Sequence, residues 1–436
     1  MSTLSSVAGT AEVSPHDELY RRVIWRLIPL LGLCYLTAYL DRINIGFAKL
    51  QMAEQLSFSE TAYGLGAGLF FVGYILFEVP SNLVLEKVGA RLWLARIMIS
   101  WGILSGLTML VTQAWQFYLL RFLLGAAEAG FLPGVLFYLT GWFPSWRRAR
   151  IIALFMIGLP LSSLVGGPLS GAIMTFADGW HGLFGWQWLF LLEAIPTVIL
   201  GLVLLVALPD SPRQAKWLNT DERQALESEL ARDSAANPSR QTTFRDGFFN
   251  LKVWMLGGID FAILLSAYAI GFWLPTFIHN AGVGDSSTIG WLTSIPSLAG
   301  LVGMLLVGFS SDRHRERRWH IIVPFLIGAA AMSLSTLFAH NAVATVTVFA
   351  IASGAIMGAI PVFFSLPATF LKGQAAATGF ALACSLANIA GLVSNSLMGW
   401  ILDLTGSSAI ALLCFAAALL LGCLLVLALP GHQVNR

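Results

Sequence analysis

Residues 82–91 read NLVLEKVGAR, and 226 positions further on residues 308–317 read GFSSDRHRER. Each segment closes a long apolar block with an acid followed directly by a base, Glu86–Lys87 in one and Asp312–Arg313 in the other, and Arg91 is matched by Arg317. Pro133 and Pro361, 228 apart, keep nearly the same register. A chain that repeats a charged turn between apolar blocks at half its length is built from two parallel repeats. Such repeats are the layout of secondary transporters that bind their cargo between the halves near the bilayer midplane.

Composition agrees. The 436 residues are 57% hydrophobic and 11% charged, with mean hydropathy +0.76, whereas soluble domains run at about 45–50% and about 25%. A soluble protein is excluded. A net charge of +2 gives no electrostatic footing for nucleic acid. Cys34, Cys384, Cys414 and Cys423 all fall in apolar blocks, which argues for neither disulfides nor a metal site. The seven histidines lie scattered through the tail, loops and block ends, without metal-ligand spacing or a triad partner, so no enzyme is expected.

Twelve blocks are long enough to span a bilayer, at 23–47, 62–86, 92–112, 116–140, 149–176, 187–208, 252–280, 287–310, 319–339, 342–370, 375–402 and 406–429. The expected fold is all-α and integral to the membrane: twelve transmembrane helices in two pseudo-symmetric six-helix bundles. The expected divisions are a tail at 1–22, bundles at 23–208 and 251–430, a linker at 209–250 and a second tail at 431–436. One side of the membrane collects 22 of the 25 lysines and arginines, Lys372 and Arg436 included, while the other keeps Lys49. By the positive-inside rule both termini and the linker are cytoplasmic. Within the linker, Asn219 and Glu222 have capping-box spacing and predict a short helix against that face. Small residues at Ser163, Gly167 and Gly171 in span five, and at Gly379, Ala383, Ala387 and Gly391 in span eleven, predict close helix contacts.

Ionisable residues inside the spans are costly in hydrocarbon and so mark candidate sites. They are Asp41 and Arg42 in span one, Glu78 in span two, Arg121 and Glu128 in span four, Glu193 in span six and Asp260 in span seven. With span one ending near Phe47, Asp41 lies about 9 Å below its end and Arg121 about 8 Å, with Glu128 about 18 Å down. Asp41 and Arg121 are therefore expected level and Glu128 deeper, with Arg121 and Glu128 on one face. Tyr39 shares a face with Arg42. Glu78 is expected to form a gate or a stabilising pair with a loop arginine, and Glu193 and Asp260 to stabilise span ends.

The runs YLDRINIGFA (39–48), FFVGYILFEVPSN (70–82), RFLLGAAEAGFLPG (121–134) and FWLP (272–275), with the acid–base loop, resemble the anion:cation symporter family of the major facilitator superfamily. The resemblance covers nearly the whole chain. It implies that Asp41 and Glu128 take up protons, that Arg121 couples them, and that Arg42, Tyr39 and Tyr74 contact an anionic substrate. The family's span-five glutamine is replaced by Leu159, its span-eleven asparagine by Cys384, and its span-ten serine falls near Pro361. Tyr268 and Asn388 are the candidates from the second half.

The expected function is proton-coupled uptake of a small organic anion such as a hydroxy acid or sugar acid, by alternating access. Protons serve as the coupling ion without a cofactor. The chain is expected to work as a monomer among the lipids of a bacterial inner membrane. Export or exchange is the alternative, since GGPLSG (166–171) partly resembles an antiporter Gly-Pro motif; uptake of an aromatic carboxylate is another.

Overall fold

The computed structural model describes residues 15–236, 251–366 and 374–434. The expectations for residues 1–14, for 237–250, and for Lys372 and Arg436 fall outside the described residues, as do the side-chain positions Gly379, Ala383, Cys384 and Ala387. Among the described residues every regular element is helical. Span one is Pro15–Ile43 continued by Ile45–Gln55, span two Glu60–Val88, span three Ala90–Leu107, span four Ala114–Glu128 with Phe131–Thr140, and span five Ser145–Met156 with Gly158–Phe176. Span six is Gly185–Ala207, seven Leu251–Asn280, eight Ser286–His314, nine Trp319–Ser335, ten Ala342–Ser365, eleven Gln374–Thr405 and twelve Ala409–Ala428.

The interruptions have local causes. Pro133 has no N–H for the carbonyl of Ala129, and span four breaks at Ala129–Gly130, where Gly130 turns with φ +86°. Pro160 stands in the same relation to Met156 in span five, and that rod breaks at Ile157. Asn44 keeps helical dihedrals (φ −56°, ψ −27°), so span one runs on to Gln55, eight residues beyond the end expected from the apolar block. The internal repeat is visible in the backbone. The residues closing spans two and eight both have positive φ, Gly89 (+97°) and Arg315 (+51°), and they are 226 apart.

The two bundles meet along glycine seams on the arginine-poor face. A Cβ on Gly167 of span five would stand 2.6 Å from the carbonyl oxygen of Gly290 in span eight, and one on Gly290 would stand 2.3 Å from that of Gly167. Gly399 of span eleven lies equally close to the Glu60 carbonyl of span two, at 2.2 Å. Lys49 adds a polar lock at the same face, 2.5 Å from Glu60 and 3.2 Å from the Thr276 hydroxyl, with its ammonium 4.2 Å from the Trp273 ring. Asp403 accepts from the backbone N–H groups of Glu60 and Thr61 at 3.0 and 2.7 Å. Leucine at Gly167 is expected to hold this seam open. Labelling of Ser286→Cys by a membrane-impermeant maleimide should then rise at least tenfold; unchanged labelling would show that the seam yields elsewhere.

The linker helix Thr220–Ala236 has the expected capping box: Asn219 Oδ1 accepts from Glu222 N–H at 2.8 Å and Glu222 accepts from Asn219 N–H at 3.0 Å. That N–H, together with the Arg22 guanidinium, holds the Glu222 carboxyl below the usual carboxylate range. The helix belongs to the first bundle. Glu222 pairs with Arg22, Asp233 accepts from Ser145 N–H and Oγ–H at 2.9 and 2.6 Å, and Trp217 stacks on Trp142.

Candidate substrate site

Arg42 and Glu128 form an ion pair between spans one and four, with side chains 14% and 4% exposed. Three rings enclose the guanidinium carbon, Phe70 at 5.0 Å, Tyr74 at 5.5 Å and Tyr39 at 5.6 Å. Tyr268 of span seven joins this set through Phe71, whose ring lies 4.7 Å from that of Tyr268 and 5.2 Å from that of Phe70. The structure thus gathers Tyr39, Arg42, Tyr74, Glu128 and Tyr268 into one cluster. Asn388 is half-buried on span eleven.

This arrangement corrects the expected levels. Asp41 makes no bond to Arg121, and Arg42 pairs with Glu128. The cause is the true length of span one. Measured from Gln55, Arg42 lies about 20 Å down, and measured from Ala114, Glu128 lies about 21 Å down, so these two are level. An apolar-block boundary cannot register the further helical turns Ala48–Gln55, because Lys49 and Gln51 interrupt the hydropathy without ending the helix.

Asp41 is 1% exposed and accepts three hydrogen bonds from neutral donors, Thr197 Oγ1 at 2.8 Å, Trp101 Nε1 at 3.0 Å and Ser105 Oγ at 3.2 Å. Arg121 is also 1% exposed. Its three guanidinium nitrogens have no hydrogen-bond partner among the described residues, and the group lies over the Phe70 ring at 5.2 Å. Two cations therefore flank one aromatic ring, and a single carboxylate, Glu128, bonds to one of them. Glu78 is half-buried without an ion pair among the described residues, contrary to the expected contact with a loop arginine. Trp101, Ser105, Thr197 and Phe70 escaped the sequence reading, because neutral polar and aromatic side chains in a span carry no charge signal.

A narrow cavity of about 80 Å³ lies between the bundles. Tyr39 forms part of its wall, so one residue both lines the cavity and sets its ring beside Arg42. Hydroxyl-bearing residues line the cavity from both halves, Ser163 from the first and Thr293, Ser297 and Ser353 from the second. Leu159, at the family's glutamine position, also lines it.

Two six-helix bundles joined by an internal repeat, with a charge cluster beside a cavity at their interface, define a multi-pass membrane transporter and not an enzyme. Residues 31–384 match the Major Facilitator Superfamily model, and the chain belongs to that family. It is 70% identical over 418 residues to the "Putative metabolite transport protein NicT" of Pseudomonas putida, covering 96% of each chain. It is 44% identical over 413 residues to a "Putative tartrate transporter" of Agrobacterium vitis, covering 94% of each. Among solved structures, a bacterial homolog of the human lysosomal transporter Spinster superposes with a TM-score of 0.74 at 15% identity, over 94% of this chain and 96% of that one, a likeness of fold.

Proposed function

We propose that the chain takes up a small organic anion of the hydroxy-acid or sugar-acid class together with protons. It would do so across a bacterial inner membrane, as a monomer and without a cofactor, with both termini cytoplasmic. The observation that carries this reading is the buried Arg42–Glu128 pair, which Tyr39 of the cavity wall adjoins. Glu128 occupies the guanidinium that a substrate carboxylate would use. Protonating Glu128 removes that competitor and leaves Arg42 uncompensated in a low-dielectric pocket, where a carboxylate can pair with it. Proton and anion affinity then rise together, and linkage makes the effect reciprocal.

Arg121 and Asp41 extend the scheme. With both acids protonated the cluster carries about two positive charges; with both ionised it is near neutral and the anion is released. If two protons accompany one monoanion, a net positive charge moves inward, each charge gaining about 2.3 kcal/mol per 100 mV. Tyr39, Tyr74 and Tyr268 are assigned to substrate contact, as is Asn388, and the hydroxyls of Ser163, Thr293, Ser297 and Ser353 suit a hydroxylated acid. A second reading, an aromatic carboxylate, is favoured by the apolar walls Ile43, Phe47, Leu159 and Leu274.

Proteoliposomes loaded at neutral pH and diluted into acidic buffer should accumulate radiolabelled L-tartrate several-fold above equilibrium, and a protonophore should abolish the excess. Accumulation unaffected by the protonophore would overturn proton coupling. Accumulation of nicotinate or benzoate in its place would select the aromatic reading.

A further inference from the structure

Glu193 of span six takes no part in the cluster around Arg42, yet it is 5% exposed. Its carboxylate accepts from Ser170 Oγ at 2.8 Å and from Asn44 Nδ2 at 3.0 Å. Asn44 follows Asp41 by one helical turn, and Thr197, which donates to Asp41, follows Glu193 by one turn. Spans one and six are therefore joined by two rungs, Asp41–Thr197 and Asn44–Glu193, that bring the two acids together.

Every hydrogen bond to either acid among the described residues comes from a neutral donor. Spans one, three and five pack against span six. From span one the facing titratable group is Asp41. Arg42 and Tyr39 turn to the Glu128 cluster, and Lys49 to Glu60. Span three presents Trp101 and Ser105, while its Arg96 lies on the Trp93 ring. Span five presents Ser170, and its Arg147 and Arg148 pair with Asp17 and Asp233 at the arginine-rich end. Arg121 of span four acts on Asp41 without a hydrogen bond to it. Two ionised carboxylates on neighbouring rungs, 1% and 5% exposed and bonded only by neutral donors, repel each other and lack the solvation each needs. A proton shared between them removes that repulsion. Glu193 lies on the arginine-poor side of Asp41, where an incoming proton would meet it first.

We propose that Glu193 is a proton-carrying residue of the transport cycle that exchanges its proton with Asp41 across the span one–span six contact. The assignment presupposes the proton coupling proposed above, so its test begins without substrate. In infrared difference spectra of the full chain in lipid, titrated with pH, Glu193→Gln should delete one protonated-carboxyl C=O signal and move the titration of the Asp41 signal, itself identified by its loss in Asp41→Asn. Glu193→Asp should retain a carboxyl signal at shifted frequency, which covers the case that the glutamine variant does not fold. In proteoliposomes, Glu193→Gln should lower proton-driven L-tartrate accumulation at least tenfold and keep tartrate counterflow at equal pH, with Glu193→Asp retaining both. Unchanged carboxyl signals and an unmoved Asp41 titration in Glu193→Gln would overturn the proposal, as would undiminished accumulation. Failure of the wild type to move tartrate at all would instead count against the substrate reading, with the infrared result still deciding the role of Glu193.

Discussion

Arg42→Ala is expected to weaken L-tartrate binding by roughly 30-fold to several thousand-fold, the range for truncating one partner of a buried charge pair (about 2–5 kcal/mol). The anion loses its charge-assisted partner, and Glu128 loses its counter-ion. Arg42→Lys should recover only part of the loss, since an ammonium cannot reproduce the planar fork of a guanidinium enclosed by Phe70, Tyr74 and Tyr39. Stability should follow the same pair. Removing either partner leaves a buried charge uncompensated at about 3–5 kcal/mol, and removing both should cost less than the sum. The same cycle on Asp41→Asn and Arg121→Gln should show a smaller coupling than the Arg42–Glu128 cycle, because no hydrogen bond or ion pair joins them. Equal affinity of Arg42→Ala and wild type in equilibrium binding would reduce Arg42 to a packing residue.

Glu128→Gln should act in the opposite sense on binding. Glutamine has the shape and charge of the protonated acid, so Arg42 is freed at every pH and tartrate should bind at least as tightly as to wild type. Wild-type affinity should fall as pH rises and Glu128 recaptures Arg42; the variant's affinity should vary far less with pH. Exchange at equal pH should persist, because the loaded carrier is still formed. Accumulation against a gradient should drop at least tenfold, because the empty carrier no longer releases a proton at this position. Full accumulation by Glu128→Gln would move the coupling to Asp41.

The fold was open to reading because its determinants are local and repeated. Apolar blocks of bilayer length, the twin loops at 82–91 and 308–317 and the arginine bias each report one feature of the bundles, and the matched positive φ of Gly89 and Arg315 carries the same 226-residue offset. The capping box at Asn219–Glu222 was equally legible, being a four-residue pattern. Pairing inside the membrane was less so. Charge pointed to Arg42 and Glu128, and the family resemblance to Tyr39 and Tyr74, but who bonds to whom depends on helix ends to within a turn, and span one hides its end behind Lys49 and Gln51. The neutral partners of Asp41 were invisible for another reason: Trp101, Ser105 and Thr197 sit in three different contacts that only the packing of spans three and six against span one creates.

Proton uptake on ligand binding tests the central claim most directly. Calorimetric titration of the purified protein with L-tartrate at neutral pH, repeated in buffers of different ionisation enthalpy, yields the number of protons taken up per anion bound. The competition of Glu128 and substrate for Arg42 predicts net uptake by the wild type, and fewer protons, by up to one per anion, in Glu128→Gln. Tartrate binding with the same proton uptake in both proteins would contradict it.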